Sequence, residues 1–131
     1  MSVYEGSVLR RIWGPIVDDE TGELRRLHNA ELMERARIPP VANVLRSHRI
    51  RWAGHVARMG EERVPRQVME GRPRGRRPLG RPRKRWSDNL KEDLQLININ
   101  QEDWQQQAQD RPRWKQLVRA AKDHPGPAPP E

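Results

Sequence analysis

Fifteen residues near the middle of the chain, Gly71 to Arg85 (Gly-Arg-Pro-Arg-Gly-Arg-Arg-Pro-Leu-Gly-Arg-Pro-Arg-Lys-Arg), most constrain what it can fold into. Eight of them are basic, three are Pro, three are Gly, and none is acidic. Pro removes backbone donors and fixes φ, so this stretch cannot be a helix interior. It also holds almost nothing apolar to bury, so no core can form around it. The expectation is an extended, polyproline-like connection between folded parts, reaching about 45 Å at about 3.1 Å per residue. Arg is planar, forked and permanently charged, so a row of such side chains suits the oxygens of a phosphate backbone.

The charge of the whole chain is +8, and the excess is local. Residues 1–60 carry 10 basic and 7 acidic side chains, residues 61–86 carry 10 and 3, and residues 87–131 carry 6 and 8. Such a positive block in a 131-residue chain attracts polyanions, nucleic acid foremost. The plainer alternative is a solvated linker or a nuclear address, for which Arg83-Lys84-Arg85 would suffice. The absence of Cys excludes disulfides, thiol catalysis and Cys-based zinc sites, and fits an intracellular protein. No apolar run approaches the roughly 20 residues that span a membrane, and the first residues lack a secretory h-region.

On either side of the basic run the pattern is helical. Residues 6–14 read as the end of a helix stopped by Gly14-Pro15, with Ser7 as a candidate cap. Asp18 to Gly22 form a turn between Ile16-Val17 and Leu24, which suits a short hairpin. Asn29 caps a helix over 30–36. Pro40 then opens a longer one, with Val41, Val44, Leu45, Trp52, Val56 and Met59 near the 3.6-residue period. Arg46, Arg49, Arg51 and Arg58 fall mostly on its other faces, which gives it a cationic outer surface. Beyond the basic run, Trp86, Leu90, Leu94 and Ile97 share one face of a helix starting near Arg83. Asn100 and Asp103 open the next, and Asp110 caps the last, with Pro112 in its first turn.

The five Trp, at 13, 52, 86, 104 and 114, each fall on an apolar stripe and are read as core in a chain without Phe, in preference to base-stacking surfaces. His48 and His55 lie about 10.5 Å apart along one helix, too far to share a metal. His55, beside Trp52 and Met59, is expected to be buried or semi-buried. Phosphate-loop, Gly-x-Ser-x-Gly and His-Glu-x-x-His motifs are absent, and the acid pairs Asp18-Asp19 and Glu92-Asp93 read as solvated side chains. No catalytic residue, cofactor or metal ligand is assigned.

Within the basic run, Gly80-Arg81-Pro82-Arg83-Lys84-Arg85 resembles the core of an AT-hook, although Leu79 stands where that motif has Arg. Four longer blocks resemble the region downstream of the polymerase in non-LTR (LINE-type) retrotransposon endonuclease–reverse transcriptases. They begin with Leu9-Arg10-Arg11-Ile12-Trp13-Gly14-Pro15 and Arg26-Leu27-His28-Asn29-Ala30-Glu31-Leu32. Next comes Arg49-Ile50-Arg51-Trp52-Ala53-Gly54-His55-Val56-Ala57-Arg58-Met59. Last is Gly80 to Asp93, followed by Ala108-Gln109-Asp110-Arg111-Pro112-Arg113-Trp114. The resemblance implies an accessory region that helps hold template RNA or target DNA. It does not bring catalysis with it, since the only Tyr, Tyr4, is followed by Glu5-Gly6-Ser7 and not by the paired acids of a polymerase site.

These readings combine into a mainly α chain: a small helical domain of about five helices, a short hairpin and an extended basic linker. The segments are 1–60, the linker 61–85, C-terminal helices 86–122 and a disordered tail 123–131. The expected function is non-catalytic binding of RNA or DNA, chiefly through phosphates, in the nucleus and beside the remainder of a reverse transcriptase. The residues assigned to it are Arg72, Arg74, Arg76, Arg77, Arg81, Arg83, Lys84 and Arg85, with Arg46, Arg49, Arg51 and Arg58 alongside. An AT-hook-like interaction module, or a retroelement relic without function, stays open.

Overall fold

The computed structural model describes residues 2–126 apart from Pro73, Arg77, Pro78, Arg81, Pro82 and Arg83. Among the described residues there are seven helices and one two-stranded sheet, so the chain is mainly α. The helices are α1 (Val3–Trp13), α2 (Asn29–Ala36), α3 (Val41–Ala57), α4 (Val64–Glu70), α5 (Trp86–Leu96), α6 (Trp104–Gln109) and α7 (Arg111–Asp123). The strands are β1 (Ile16–Val17) and β2 (Leu24–Arg25). The segment bounds read from charge and Pro/Gly content are divisions of composition. Compactness divides the chain elsewhere, into Met1–Leu45 and Arg46–Glu131, a boundary that falls inside α3.

In the first unit, Ser2 caps α1 by accepting from the Glu5 amide at 3.2 Å, so the helix starts earlier than Ser7. Gly14 stops it at φ 67°, a left-handed conformation that L side chains rarely adopt. The expected hairpin is present, antiparallel, with Ile16 opposite Arg25 and Val17 opposite Leu24. Its turn is organised by the Asp18 carboxylate, which accepts from the amides of Glu20 and Thr21. Arg25 then grips Glu31 at the start of α2 with two bonds of 2.8 and 3.1 Å. Arg10 reaches from α1 to the Leu27 carbonyl at 3.1 Å and to Asn29 Oδ1 at 2.8 Å. Leu27 and Leu32 are the buried apolar side chains of this unit. Polar fastening therefore carries much of its organisation.

The second unit holds the larger core. Ile50, Ala53 and Ala57 of α3 pack with Leu90 and Leu94 of α5, with Ile99 between α5 and α6, with Trp104 and Ala108 of α6, and with Trp114 and Ala121 of α7. The inward stripe of α3 is thus one of small residues, 53, 54 and 57, beside Ile50 and Val56. The Trp114 indole lies across Gly54 and donates to the Ile50 carbonyl at 2.9 Å. Only a residue without Cβ permits that approach. The end of α3 is closed by distant side chains. Arg66 donates to the carbonyls of Ala57 (3.2 Å) and Met59 (2.7 Å), and Gln109 donates to Ala57 at 3.1 Å. These satisfy acceptors that a helix terminus otherwise leaves open.

α4 lies within 61–85, where the composition predicts a single linker. Its apolar residues Val64 and Val68 face outward, so no buried stripe announces it, while Met69 packs against the core. Pro65 in the first turn and the Arg66–Glu70 pair one turn apart (3.0 Å) favour the helix instead. Of the tail expected to be disordered, residues 127–131 lie outside the described residues. No described helix is long and apolar enough to cross a membrane.

Candidate nucleic-acid interface

The basic run leaves α4 at Gly71 and enters α5 at Trp86. Arg72, Arg74, Arg76, Lys84 and Arg85 are exposed. Among the described residues no carboxylate pairs with Arg72, Arg74 or Arg76. Lys84 pairs with Glu92 at 2.6 Å, and both side chains are more than half exposed, which makes a weak tie in water. The Arg85 amide donates to Asp88 Oδ2 at 3.0 Å, which fixes the first turn of α5. Arg77, Arg81 and Arg83, and with them the AT-hook-like core, lie outside the described residues.

Gly75 and Gly80 take φ of +102° and +104°. A polyproline helix requires φ near −75° at every residue. The run therefore leaves the polyproline form and bends at these two glycines. The physical reason is that Gly supplies the bends Pro cannot.

The three arginines of α3, Arg46, Arg49 and Arg51, and Arg58 just beyond its end do not act alike. Arg46 is buried, and its Nε lies 3.7 Å from Asp93 Oδ1. Arg49 clamps the same carboxylate with two bonds, Nε to Oδ2 at 2.6 Å and Nη2 to Oδ1 at 3.0 Å. This hydrogen bond raises the Arg49 pKa further above its already high value. Asp93, read from the sequence as a solvated acid, is instead buried beneath two guanidiniums. It sits one position before Leu94 of the core, so the α5 face that buries Leu94 carries it inward too. Arg58 donates to the Ala108 carbonyl at 2.7 Å, at the end of α6. Burial, and then the neighbouring charge of Arg111, lower its pKa. Arg51 is exposed and pairs with no carboxylate among the described residues. Of these four, Arg51 is the cation the fold leaves on the surface, and the others are tied to the protein itself.

The tryptophans divide in the same way. Trp104 and Trp114 are core, with ring centroids 6.1 Å apart. Trp52 and Trp86 are not: they are 46% and 38% exposed and form an edge-to-face pair with centroids 5.0 Å apart and an interplanar angle of 82°. The expectation that all five fill the core is corrected for these two, and Trp13 is only half-buried. Trp114 fills the groove over Ala53 and Gly54, so α3 turns Trp52 outward. His55, one turn from Trp52, is exposed with it and not semi-buried. The Ala53-Gly54-x-x-Ala57 spacing was the available signal that the small side of α3, and not the Trp52 side, faces inward.

No group of three or more metal-ligating side chains gathers among the described residues. No protein-family model matches the chain, and no solved structure matches it. It is similar to a putative uncharacterized transposon-derived protein of Caenorhabditis elegans, with 29% identity over 121 residues, 89% of this chain and 43% of that protein. The chain thus spans less than half the length of this relative. The similarity fits a transposon origin.

Proposed function

We propose that this chain is a non-catalytic nucleic-acid-binding accessory region of a non-LTR retrotransposon reverse transcriptase, and that it binds RNA or DNA mainly through phosphates. The observation that carries this reading is the row of exposed Arg72, Arg74 and Arg76, which no carboxylate of the described residues neutralises, inside a segment of net charge +7. The transposon-derived relative supports the origin, and the four sequence blocks point to the region beyond the polymerase. The strap 72–85 and Arg51 supply the contacts. Arg46, Arg49 and Arg58 hold the fold that presents them. The protein acts in the nucleus, where Arg83-Lys84-Arg85 also serves as an address, and beside the remainder of a reverse transcriptase.

A filter-binding salt titration tests this. Six to eight phosphate contacts give a log–log slope of about −5 to −7 on duplex. Replacement of 72–85 by Gly/Ser should flatten that slope and weaken binding at low salt. A salt-independent response, or no loss on replacement, overturns the reading. The AT-hook-like alternative rests on Gly80 to Arg85 and predicts competition by a minor-groove dye and a preference for A·T duplex.

A further inference from the structure

The fold exposes two indoles side by side where the cationic strap rejoins the helices. Trp86 is the first residue of α5 and directly follows Lys84-Arg85. Trp52 meets it edge to face at 5.0 Å. In such a pair the edge-on ring keeps both faces clear of its partner and the other ring keeps one, and their exposures of 46% and 38% show that large parts stay in contact with water. The surroundings are cationic or polar. His48 and His55 lie one turn of α3 to either side of Trp52, Arg51 precedes it, and all three are exposed. Burial in this unit is available, since Trp104 and Trp114 are both enclosed. Two large rings left half in water therefore ask for a flat, apolar-faced partner that arrives with negative charge.

We propose that Trp52 and Trp86 form a stacking platform for unpaired nucleobases, and that the ligand of the strap is therefore a single strand. This rests on the nucleic-acid reading given above and narrows it. The strap holds the sugar–phosphate chain while one or two bases leave it to lie on the indoles. Every base has a π-face, so the contact tolerates any sequence. A duplex keeps its bases stacked on one another and offers none to the platform.

Fluorescence anisotropy on the full chain separates the parts. The probes are labelled uridine and thymidine oligomers of about fifteen nucleotides, within the span of known single-strand sites. An abasic phosphate oligomer of the same length and a duplex complete the set. The base-bearing strands should bind at least about tenfold tighter than the abasic one, and Trp52→Leu or Trp86→Leu should each remove about tenfold for them alone. Trp52→Tyr and Trp86→Tyr should restore most of the loss, which separates stacking from a fold defect. Either uridine or thymidine binding supports the platform, and their ratio names the strand. Equal affinity for abasic and base-bearing strands overturns the platform while leaving the phosphate reading intact. So does an equal loss for both in the Leu variants, or a duplex that competes as well as a single strand. Failure of every oligomer to bind at low salt overturns both.

Discussion

Gly54→Ala offers the sharpest test of how the second unit is packed. By helix propensity alone, Ala in the interior of α3 should stabilise the chain by about 0.8–1.0 kcal/mol. The structure demands the opposite sign. A Cβ at position 54 would lie 2.7 Å from Trp114 Cε2, and closer still to Nε1 and Cδ1 of the same ring. The indole cannot yield without losing its 2.9 Å bond to the Ile50 carbonyl, in a site where Trp114 is 2% exposed. Overpacking costs about 1–3 kcal/mol. Stranding the buried indole N–H costs about 1–3 kcal/mol more. Against the propensity gain, the net expectation is a loss of about 3 kcal/mol, a large share of the stability of a chain this size. Urea unfolding followed by far-UV circular dichroism reads it as a lower midpoint at unchanged slope. In a Trp114→Leu background the clash is gone, and Gly54→Ala should be neutral or stabilising by up to about 1 kcal/mol. A stabilising Gly54→Ala in the unmodified chain would refute the close approach of Trp114 to α3.

Asp93→Ala should destabilise by about 3 kcal/mol in the same assay, since it strips the carboxylate from beneath the buried Arg46. Arg49→Ala should cost clearly less, its side chain being 29% exposed, and equal costs would contradict the geometry. Acid should loosen the first unit. Glu31, held by Arg25 and the His28 amide, has its pKa lowered from 4.5 to about 2, and Asp18 is lowered from 3.8 by the amides of Glu20 and Thr21. Both shifts are downward, so their contribution is present above the usual carboxylate values and is lost as pH falls towards 2. Amide signals of Ile16–Val17 and Leu24–Arg25 should broaden or shift between pH 5 and 2, in part less so in Glu31→Gln, and an invariant hairpin would count against the clasp.

What the sequence made legible follows from which forces are local. The Asp110 cap of α7, the Gly14 stop of α1 and the hairpin turn at Asp18 rest on bonds within a few residues, and each was read near its observed place. The orientation of α3 was misread because it depends on Trp114, sixty-four positions away, choosing the small-residue side. Arg46 and Arg49 looked like surface cations for the same reason, since Asp93 is forty-four positions from Arg49. α4 escaped notice because its valines are exposed and its helix is held by Arg66 and Met69. The basic run stands out in the composition, but the bends at Gly75 and Gly80 do not, because they rest on the sign of φ.

The two ends of the strap are anchored in one compact unit, Met69 of α4 packing on the same core as Leu90 of α5. A connection held in this way can change length cheaply, since doubling it adds only about 0.6 kcal/mol of closure entropy. Insertions and deletions in this connection should therefore be tolerated without unsettling the helices. Selection, where it acts, would weigh how many guanidiniums the connection retains and not how many residues it has.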